Sequence, residues 1–539
     1  MTKKRNNKAF IPLIIALTLV LGMIIGRVFS DNTPTSLAEK KLAQMLQLID
    51  ENYVDSISID SILEKSFPDI ISQLDPHSTY ISAQDFKSMN EELEGSFSGI
   101  GISFTIMNDT ISVIEVIHNG PSEKVGILAG DRVVSVNNEN VAGVSITNEK
   151  VMQLLRGEKG SSVKLGIKRN SSATTLSFDI TRGEIPVNSI DASYIIAPEI
   201  GYIKVNKFSR NTYSEFLSSL NNLRNDGAKK YIIDLRGNGG GYMESAILMA
   251  NEFLPANQII VNTRSRHESH STLSDGTGSF KNAELAILTD EFSASASEIL
   301  AGAIQDHDRG LIIGRRSFGK GLVQQQIMLL DSSAIRLTVA RYYTPSGRCI
   351  QKSYKMGDKN YENDLVERFI HGEANSVDSI KLDKSMAFST ANGRTVYGGG
   401  GIMPDIFVPN DTTELTKYYY NVANAGLFQK FAFNYCDKNR KKLSECSTTT
   451  ELLEKLPSDD YLLSEFVSFA KKNKIPAQWY YINTSRKLII SAIKSLIARD
   501  LIGSHAYYEV FNMHDNNVQE AIKQITKGAS KFPIKENNQ

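Results

Sequence analysis

LAILTDEFSASASEILAGAIQDHDRGLIIG, residues 285–314, carries the pattern that decides the fold of this 539-residue chain. The apolar run at 285–289 is followed by a polar loop and then by a segment, 296–306, whose apolar side chains recur every three or four residues. The run predicts a buried strand, and the recurrence predicts a helix with one buried face. A second buried strand is predicted at 311–314.

The same order of elements occurs upstream. The apolar run YIIDL (231–235) leads into the glycine-rich loop RGNGGG (236–241) and then into a helical pattern at 242–254. Strands that alternate with helices predict an α/β layered core, which we place at 186–411.

Three other regions differ from this core. Residues 37–88 begin with apolar residues at helical spacing and predict a helical lead-in. Residues 90–183 contain short strand-like runs and one amphipathic stretch, which predict a compact α+β module. Residues 412–539 have helical patterns with lysine-rich faces and contain no candidate chemistry. The fold class is therefore α/β, with α+β character.

Composition excludes some classes of protein. Lysine plus arginine and aspartate plus glutamate each total 60, so the formal net charge is zero. Proteins that bind nucleic acid phosphates normally carry a basic excess, so nucleic acid is not an expected partner. Hydrophobic residues make up 41% of the chain, which is enough to bury real cores and excludes disorder of the bulk.

The N-terminal segment predicts where the protein resides. Four cations lie within residues 1–8, and an uncharged apolar run follows at 9–26. Such a run can span a bilayer as a helix, and cations before it predict a cytoplasmic N-terminus. We therefore expect a cytoplasmic basic segment (1–8), a single-pass anchor in the cell membrane (9–29) and an extracytoplasmic, periplasmic remainder. A cleaved signal peptide, which would release the chain into the periplasm, is the alternative.

Cysteine and histidine are scarce. Three cysteines are too few for a disulfide framework, and no C-x-x-C motif predicts a zinc site. Pairing of Cys436 with Cys446 and two isolated thiols both stay open. H-E-S-H (267–270) is one residue shorter than the zinc motif H-E-x-x-H and lies in a predicted loop. No metal and no cofactor is expected.

One motif suggests a different class of protein. G-R-R-S-F-G-K-G (314–321) matches the phosphate loop G-x-x-x-x-G-K and follows a predicted strand. A phosphate loop needs Ser or Thr after the lysine and a helix that meets the phosphates. Here Gly321 follows the lysine, and 322–330 with 334–341 predict a β-hairpin. Nucleotide binding is therefore disfavoured.

A cluster of hydroxyl side chains lies between the predicted strand 285–289 and the predicted helix 296–306. It contains three serines separated by alanines, Ser293, Ser295 and Ser297. A serine here is usually a helix cap, but one cap explains only one serine. Helix-terminal amides beside a serine can also stabilise an oxyanion. Lys320 is the candidate base, because its uncharged neighbours would let burial lower the pKa of its ammonium. A solvated loop lysine is the alternative.

The stretch FSASASEILAGAIQDHDRGLIIGRRSFGKGLVQQ (292–325) closely resembles the signature of the carboxy-terminal processing proteases, the tail-specific serine peptidases of family S41. The resemblance implies Ser295 as nucleophile and Lys320 as base. It also implies that Gln324 orients the lysine and that Asp306 has a supporting role.

Further stretches that resemble this family occur in order between about residues 37 and 410. They are LDPHSTY (74–80), GSFSGIGISF (95–104), GPSEKVGILAGDRVVSVN (120–137), LLRGEKGSSVKLGIKR (154–169), DLRGNGGG (234–241), RYYTPSGRCIQ (341–351) and GGGGIMPDIFVPN (398–410). The glycine loop departs from the family at Gly239, where proline is commoner.

The resemblance implies a ClpP/crotonase-like layered protease core with an inserted PDZ domain, followed by a C-terminal helical region whose role is open. In the PDZ domain, a glycine loop would hold the carboxylate of a peptide. The implied loop residues are Gly99, Ile100, Gly101 and Ile102. The implied oxyanion donors are the backbone amides of Ala296, Gly240 and Gly241.

The expected function is a serine endopeptidase of the cell envelope that recognises protein C-termini through its PDZ domain and cleaves near the tail. Its partners would be protein substrates with apolar, unstructured C-termini, besides the membrane, and a homo-oligomer is compatible with the sequence. A catalytically silent PDZ scaffold is the competing hypothesis, and the intact set Ser295, Lys320 and Gln324 argues against it. Whether the PDZ domain activates or inhibits stays open.

Overall fold

Two compact units, Met1–Ser72 and Gln73–Gln539, make up the chain. The computed structural model describes residues 36–169, 172–354, 360–443 and 445–528. The described part of the first unit forms α1 (Leu37–Asn52) and α2 (Ile59–Ser72). α1 begins after Ser36, whose hydroxyl accepts from the Glu39 amide while the Glu39 carboxylate accepts from the Ser36 amide. This reciprocal capping box starts the predicted helical lead-in.

The second unit begins with β1 (Thr79–Ile81) and α3 (Ala83–Glu94). A small module follows, with the elements β2 (Ser96–Gly99), β3 (Ile102–Met107), β4 (Thr110–Val116), α4 (Pro121–Lys124), β5 (Arg132–Val136), β6 (Glu139–Asn140), α5 (Asn148–Leu155), β7 (Ser162–Lys168), β8 (Leu176–Thr181) and β9 (Gly183–Pro186). β3, β4, β5, β7 and β8 form an antiparallel sheet in that order, and β6 pairs with β5. β2 and β9 form a separate ribbon where the chain enters and leaves the module.

The layered core consists of β10 (Ile190–Ala197), β11 (Ile200–Val205), α6 (Thr212–Asn225), β12 (Lys230–Asp234), α7 (Met243–Asn251), β13 (Ile259–Ser265), β14 (Ser269–Leu273), β15 (Glu284–Thr289), α8 (Ala296–Asp306), β16 (Leu311–Gly314), β17 (Leu322–Met328), β18 (Ala334–Tyr343), α9 (Asn360–Ile370), β19 (Ala387–Ser389), β20 (Thr395–Tyr397) and β21 (Ile406–Phe407). Its main sheet has the order β10-β11-β12-β15-β16-β21. Within this sheet, the neighbouring strands β11, β12, β15, β16 and β21 run parallel. The connections between the first four of them contain the helices α6, α7 and α8.

Apolar side chains cover both faces of this sheet. On one face, α6, α7 and α8 contribute Phe216, Met249 and Leu300 to a core cluster that also contains Ile233 and Ile287 of β12 and β15. The alternate residues of the same strands face a second cluster. The predicted α/β layered fold class is therefore confirmed.

The predicted hairpin is also confirmed. β17 and β18 pair antiparallel, and Gln324 is the register partner of Thr338. β18 further pairs with β1 and with β13, so that a second sheet, β1-β18-β13-β14, borders the loop before β17. The stretch 267–270 was predicted to be a loop, but Ser269 and His270 belong to β14, because they pair with β13.

The C-terminal helices fall into two groups. The first group contains α10 (Lys417–Asn424), α11 (Leu427–Leu443), α12 (Thr449–Lys455), α13 (Asp459–Lys472), α14 (Trp479–Thr484) and α15 (Arg486–Leu501), and it has its own apolar core. The second group contains α16 (Ser504–Asn512), whose Ala506 and Val510 still pack in that bundle core, and α17 (Asn516–Thr526). Val518, Ala521 and Ile525 of α17 cover the second face of the main sheet. Part of the tail is therefore a layer of the core.

The predicted location is corrected. The expected anchor, residues 9–29, lies outside the described residues. None of the helices within the described ranges is long and apolar enough to cross a bilayer. A single-pass membrane protein with a periplasmic catalytic part is thus unsupported, and the prediction is withdrawn. Cys436 and Cys446 are both buried as free thiols, which settles the question of their pairing in this structure.

Candidate active site

The nucleophile predicted from the sequence lies at the end of a strand–turn–helix unit. Ser295 directly precedes α8 and has φ 55° and ψ −112°. Few non-glycine residues adopt such a positive φ, which costs about 1–3 kcal/mol and persists where the surrounding fold enforces it. Ser295 lines a cavity of about 550 Å³. Strain at this position is typical of a functional turn.

The neighbouring serines, Ser293 and Ser297, form structural hydrogen bonds to the backbone. The hydroxyl of Ser293 donates to the carbonyl of Leu235, and the hydroxyl of Ser297 donates to the carbonyl of Asn238, each at 2.9 Å. Both serines are fully buried, whereas Ser295 is half-buried. Of the three serines in the cluster, the outer two therefore fasten the glycine loop to α8, and the middle one is left facing the cavity.

Lys320 lies in the loop between β16 and β17 and lines the same cavity. Its Nζ atom donates to Oε1 of Gln324 at 2.7 Å. Burial lowers the pKa of Lys320 below its usual range, and the Arg336 cation lowers it further, whereas Glu298 and Asp75 oppose the shift. A lowered pKa increases the fraction of neutral amine, which is the form that accepts a proton.

A residue far from the 292–325 stretch determines the orientation of the Gln324 side chain. Its Nε2 atom donates to the backbone carbonyl of His77 at 2.5 Å. Because the amide nitrogen is used there, the amide oxygen faces Lys320. Burial and the charge of Lys320 lower the pKa of His77 to about 4, so its imidazole is neutral at neutral pH.

The turn that contains His77 is built on Asp75. One carboxylate oxygen of Asp75 accepts from the amides of His77 and Ser78, at 2.8 and 2.9 Å, and from the hydroxyl of Thr338 at 3.1 Å. Thr338 is the register partner of Gln324. Asp75 therefore fastens the His77 carbonyl to the strand pair that carries Gln324.

A buried carboxylate connects the backbones of the two candidate catalytic residues. Oε2 of Glu298 accepts from the amides of Ser295 and Lys320, both at 2.9 Å. Its Oε1 accepts from the hydroxyl of Ser317 at 2.5 Å and from the amide of Gly319 at 2.7 Å. Burial raises the pKa of Glu298, although these four donors oppose the shift.

Tyr342 reinforces the same connection from the other side. Its hydroxyl lies 3.0 Å from the carbonyl oxygen of Ser295 and 2.8 Å from that of Lys320. The side chain is almost fully buried. Two side chains from different elements thus hold the loops of Ser295 and Lys320 together.

The backbone of the glycine-rich loop 236–241 lies in close contact with Ser295. β12 and β15 are paired in the sheet, so the loops at their carboxyl ends meet. A Cβ atom on Gly240 would lie 2.8 Å from Cβ of Ser295, and one on Gly241 would lie 2.0 Å from the carbonyl oxygen of Phe208. A Cβ atom on Gly239 would meet nothing within 4 Å, so the backbone there has room for a side chain.

The three predicted oxyanion donors differ in availability. The amide of Gly240 donates to Oδ1 of Asn238 at 2.9 Å. Within the described ranges of the chain, the amides of Ala296 and Gly241 have no acceptor. The role of all three stays a prediction, and the geometry favours Ala296 and Gly241.

Buried ion pairs fix the start of the glycine-rich loop. Arg236 lies 2.6 Å from the carboxylate of Asp234 and 2.8 Å from that of Asp515, which caps α17. Burial alone would raise the pKa of Asp234, but Arg236 and Lys204 hold it well below its usual range. The loop is therefore anchored to both strand β12 and the C-terminal helix.

Asp306 is not in the cavity. It lies at the last turn of α8, where its carboxylate pairs with Arg348 at 2.7 Å in a fully buried ion pair. Its other oxygen accepts from the amide of Ser346 at 3.0 Å. Its supporting role stays a prediction, and its contacts are with the 344–348 turn rather than with Ser295.

The predicted peptide loop lies at the edge of the small module. Gly99 pairs with Gly183 in the ribbon of β2 and β9. The carbonyls of Ile100 and Gly101 accept from Ser122 and Ile117, while in the described part of the chain their amides have no acceptor. Ile102 begins β3, which ends the sheet order and pairs with β4 alone. An open strand edge beside free amides is what a peptide C-terminus needs for recognition.

The residues that sequence reasoning missed are Asp75, His77, Glu298 and Tyr342. The stretches LDPHSTY (74–80) and RYYTPSGRCIQ (341–351) resemble the family, but nothing in their composition shows that they contact Gln324 and Lys320. Glu298 follows the nucleophile by three residues, the spacing of a capping box, and that signal was available. The 314–321 loop leads into β17 and not into a helix, as the sequence predicted.

Three family models match the chain. Residues 199–360 match Peptidase family S41, and residues 98–180 match the PDZ domain. Residues 418–503 match a family of unknown function, DUF8443.

Similar proteins include two bacterial proteases. The chain is 35% identical over 364 residues to the carboxy-terminal-processing protease of Bartonella bacilliformis, across 65% of this chain and 81% of that protein. It is 34% identical over 318 residues to the carboxy-terminal processing protease CtpB of Bacillus subtilis, across 58% of this chain and 66% of that protein. A solved structure described as the photosystem II D1 C-terminal processing protease is 23% identical, across 69% of this chain and 93% of that one, with a TM-score of 0.34.

Proposed function

Because the chain belongs to the carboxy-terminal processing proteases of peptidase family S41, we propose that it cleaves proteins near their C-termini with a Ser295/Lys320 dyad. The observation that carries this proposal is that Ser295 and Lys320 line one cavity, with the pKa of Lys320 lowered and its Nζ atom bound to Gln324. A neutral amine beside a hydroxyl is the arrangement that activates a serine.

The reaction proceeds in two halves. Oγ of Ser295 attacks the peptide carbonyl carbon while its proton moves to Nζ of Lys320. Lys320 then gives that proton to the leaving amine as the C–N bond breaks, which leaves an ester on Ser295. A water molecule attacks the ester carbon and loses a proton to Nζ of Lys320. The bond between that carbon and Oγ of Ser295 then breaks, which releases the new carboxyl end, and Lys320 returns the proton to Oγ. The amides of Ala296 and Gly241 stabilise the oxyanion in both halves.

The PDZ domain selects the substrate. A C-terminal segment adds to the open edge of β3, and the amides of Ile100 and Gly101 bind its carboxylate. Ile102, Phe104 and Ile106 are half-buried against the module core and form an apolar floor. Substrates are therefore proteins with apolar, unstructured C-termini.

A reporter protein with an apolar, unstructured tail tests the proposal. The full chain should release the tail, and amidation of the C-terminus should lower kcat/KM because the carboxylate contact is lost. A PDZ scaffold would bind the free-acid tail and leave it uncut. Equal cleavage of the free-acid and amidated reporters would refute recognition by the PDZ loop.

A further inference from the structure

The helical bundle formed by α10 to α15, residues 417–501, contacts the small PDZ module. Phe433 of α11 is 3% exposed and packs with Met107 and Ile114 of the PDZ module. Phe433 is absent from the apolar core of the bundle itself. Its burial therefore depends on the module and not on the fold of the bundle.

A polar contact lies beside this apolar one. Nη2 of Arg132 on β5 lies 2.7 Å from Oδ2 of Asp437, with side chains 24% and 12% exposed. The Arg132 guanidinium also lies 5.6 Å from the centre of the Phe433 ring. This ion pair is partly shielded from water, and its arginine also contacts the Phe433 ring. Together the two contacts fix how α11 is positioned on the module.

The backbone of the module lies close to the bundle. A Cβ atom on Gly130 would lie 2.5 Å from Nη2 of Arg440, so this side chain of α11 lies directly against the module backbone. The pairing of β3 with β4 skips Ile114, because Phe104 pairs with Val113 and Ser103 with Glu115. A bulge of this kind re-aims side chains, and here it turns Ile114 toward Phe433.

Glu115 lies at the other end of the contact, where a Cβ atom on Gly503, just after α15, would lie 3.6 Å from its Oε1. Burial raises the pKa of Glu115, and the Arg499 cation on α15 opposes the shift. Asp500, next along α15, pairs with Arg499 at 2.9 Å. The bundle therefore meets the module at two points, one on α11 and one at the end of α15.

The contact leaves the peptide groove open. Along β3, side chains after the bulge alternate between the two faces of the sheet. Phe104 and Ile106 pack on the module core beside the groove, whereas Met107 faces Phe433. Peptide binding and bundle binding thus use opposite faces of one sheet.

We propose that the bundle is the docking partner of the outer face of the PDZ domain, and that it holds the peptide groove in one position relative to Ser295. The bundle is a suitable brace because α15 continues into α16 and α17, whose side chains pack on the main sheet. A cavity of about 170 Å³ remains between module and bundle, lined by Met107 and Arg132 on one side and by Phe433 and Phe469 on the other.

Hydrogen–deuterium exchange of the full chain tests the proposal independently of peptide cleavage. The variants are Phe433→Ser, Arg132→Glu, Asp437→Arg, and the double exchange Arg132→Glu with Asp437→Arg. The control Lys164→Glu changes an exposed charge on β7 of the same module. Segments 107–116 and 430–440 report the contact, and segment 162–181 reports the integrity of the module.

We expect at least threefold faster exchange of both contact segments in Phe433→Ser and in each single charge variant, with segment 162–181 unchanged. The double exchange should restore the wild-type rate, and Lys164→Glu should have no effect. Wild-type exchange in Phe433→Ser and both single variants would overturn the proposal. So would acceleration that spreads equally to 162–181, because it would report unfolding of the module and not its release.

Discussion

The Nζ atom of Lys320 lies 2.7 Å from Oε1 of Gln324. The oxygen faces the lysine because the amide nitrogen of Gln324 donates to the carbonyl of His77. An ammonium and a neutral amine can both donate to that oxygen, and the neutral amine keeps its lone pair for the proton of Ser295. The direction of one amide thus connects a turn early in the chain to the base of the reaction.

Asp75→Asn should slow the reaction without weakening substrate binding. The second carboxylate oxygen of Asp75 accepts from the Ser78 hydroxyl at 2.6 Å, and the NH₂ group of an asparagine cannot accept there. The turn that carries the His77 carbonyl therefore loses a hydrogen bond, and Gln324 loses its alignment. We expect kcat to fall about 10- to 100-fold with KM nearly unchanged. Steady-state kinetics on a tailed reporter measure both. Combined with Gln324→Ala, the loss should not multiply, and fully multiplicative losses would show that the two side chains act separately.

Glu298→Gln should impair both folding and activity. A glutamine places an NH₂ group either opposite the amides of Ser295 and Lys320 or opposite the Ser317 hydroxyl and the Gly319 amide, so at least one buried backbone N–H is left unpaired. We expect the free energy of unfolding to fall by about 3 kcal/mol, and kcat to fall as Ser295 and Lys320 lose their common support. Urea unfolding and kinetics measure the two effects, with Glu139→Gln on exposed β6 as control. A Glu298→Gln enzyme as stable and active as Glu139→Gln would disprove this role.

Neighbouring glycines should tolerate alanine differently. Gly240 has φ +100° and would place Cβ 2.8 Å from the carbonyl of Ala294 and from Cβ of Ser295, whereas a Cβ on Gly239 meets nothing. Gly240→Ala should therefore lose nearly all activity, and Gly239→Ala should stay within a few-fold of wild type. Comparable rates for the two variants would mean that the close approach of loop and nucleophile is not required.

Arg336→Gln should move the pH dependence of the reaction. Burial lowers the pKa of Lys320, and the Arg336 cation lowers it further. Removing that charge raises the pKa of Lys320, so the rising limb of kcat/KM, which follows loss of the lysine proton, shifts to higher pH. Arg341→Gln, an exposed position on the same strand, is the control. An unshifted limb, or a shift to lower pH, would exclude Lys320 as the group that titrates.

Sequence patterns predicted the layers of the core because its elements are strongly periodic. β16 matches the predicted 311–314, and α8 matches 296–306, since buried strands are continuous apolar runs and α8 has a single buried stripe. The same patterns predicted that the tail is helical, but not where its helices pack. α17 has the spacing of any amphipathic helix, and nothing in that spacing shows that Val518 covers the main sheet.

The site was predictable to the extent that it is local in the chain. Ser295 and Glu298 lie on the first turn of α8. Lys320 and Gln324 lie four residues apart, on either side of the start of β17. Asp75 and His77 act through contacts more than 240 residues away in sequence, which only the pairing of β1, β17 and β18 creates. Contacts of that range leave no periodic signal in a single sequence.

The central claim is that Ser295 and Lys320 act as one catalytic unit, and the most direct test is the rate at which Ser295→Ala, Lys320→Ala and the double variant cleave a tailed reporter. Ser214→Ala and Lys229→Ala, both exposed, serve as matched controls. Each catalytic variant should lose about four orders of magnitude or more in kcat, and the double variant should lose no more than either one alone. Cleavage by Ser295→Ala or Lys320→Ala at the rate of its control would contradict the account.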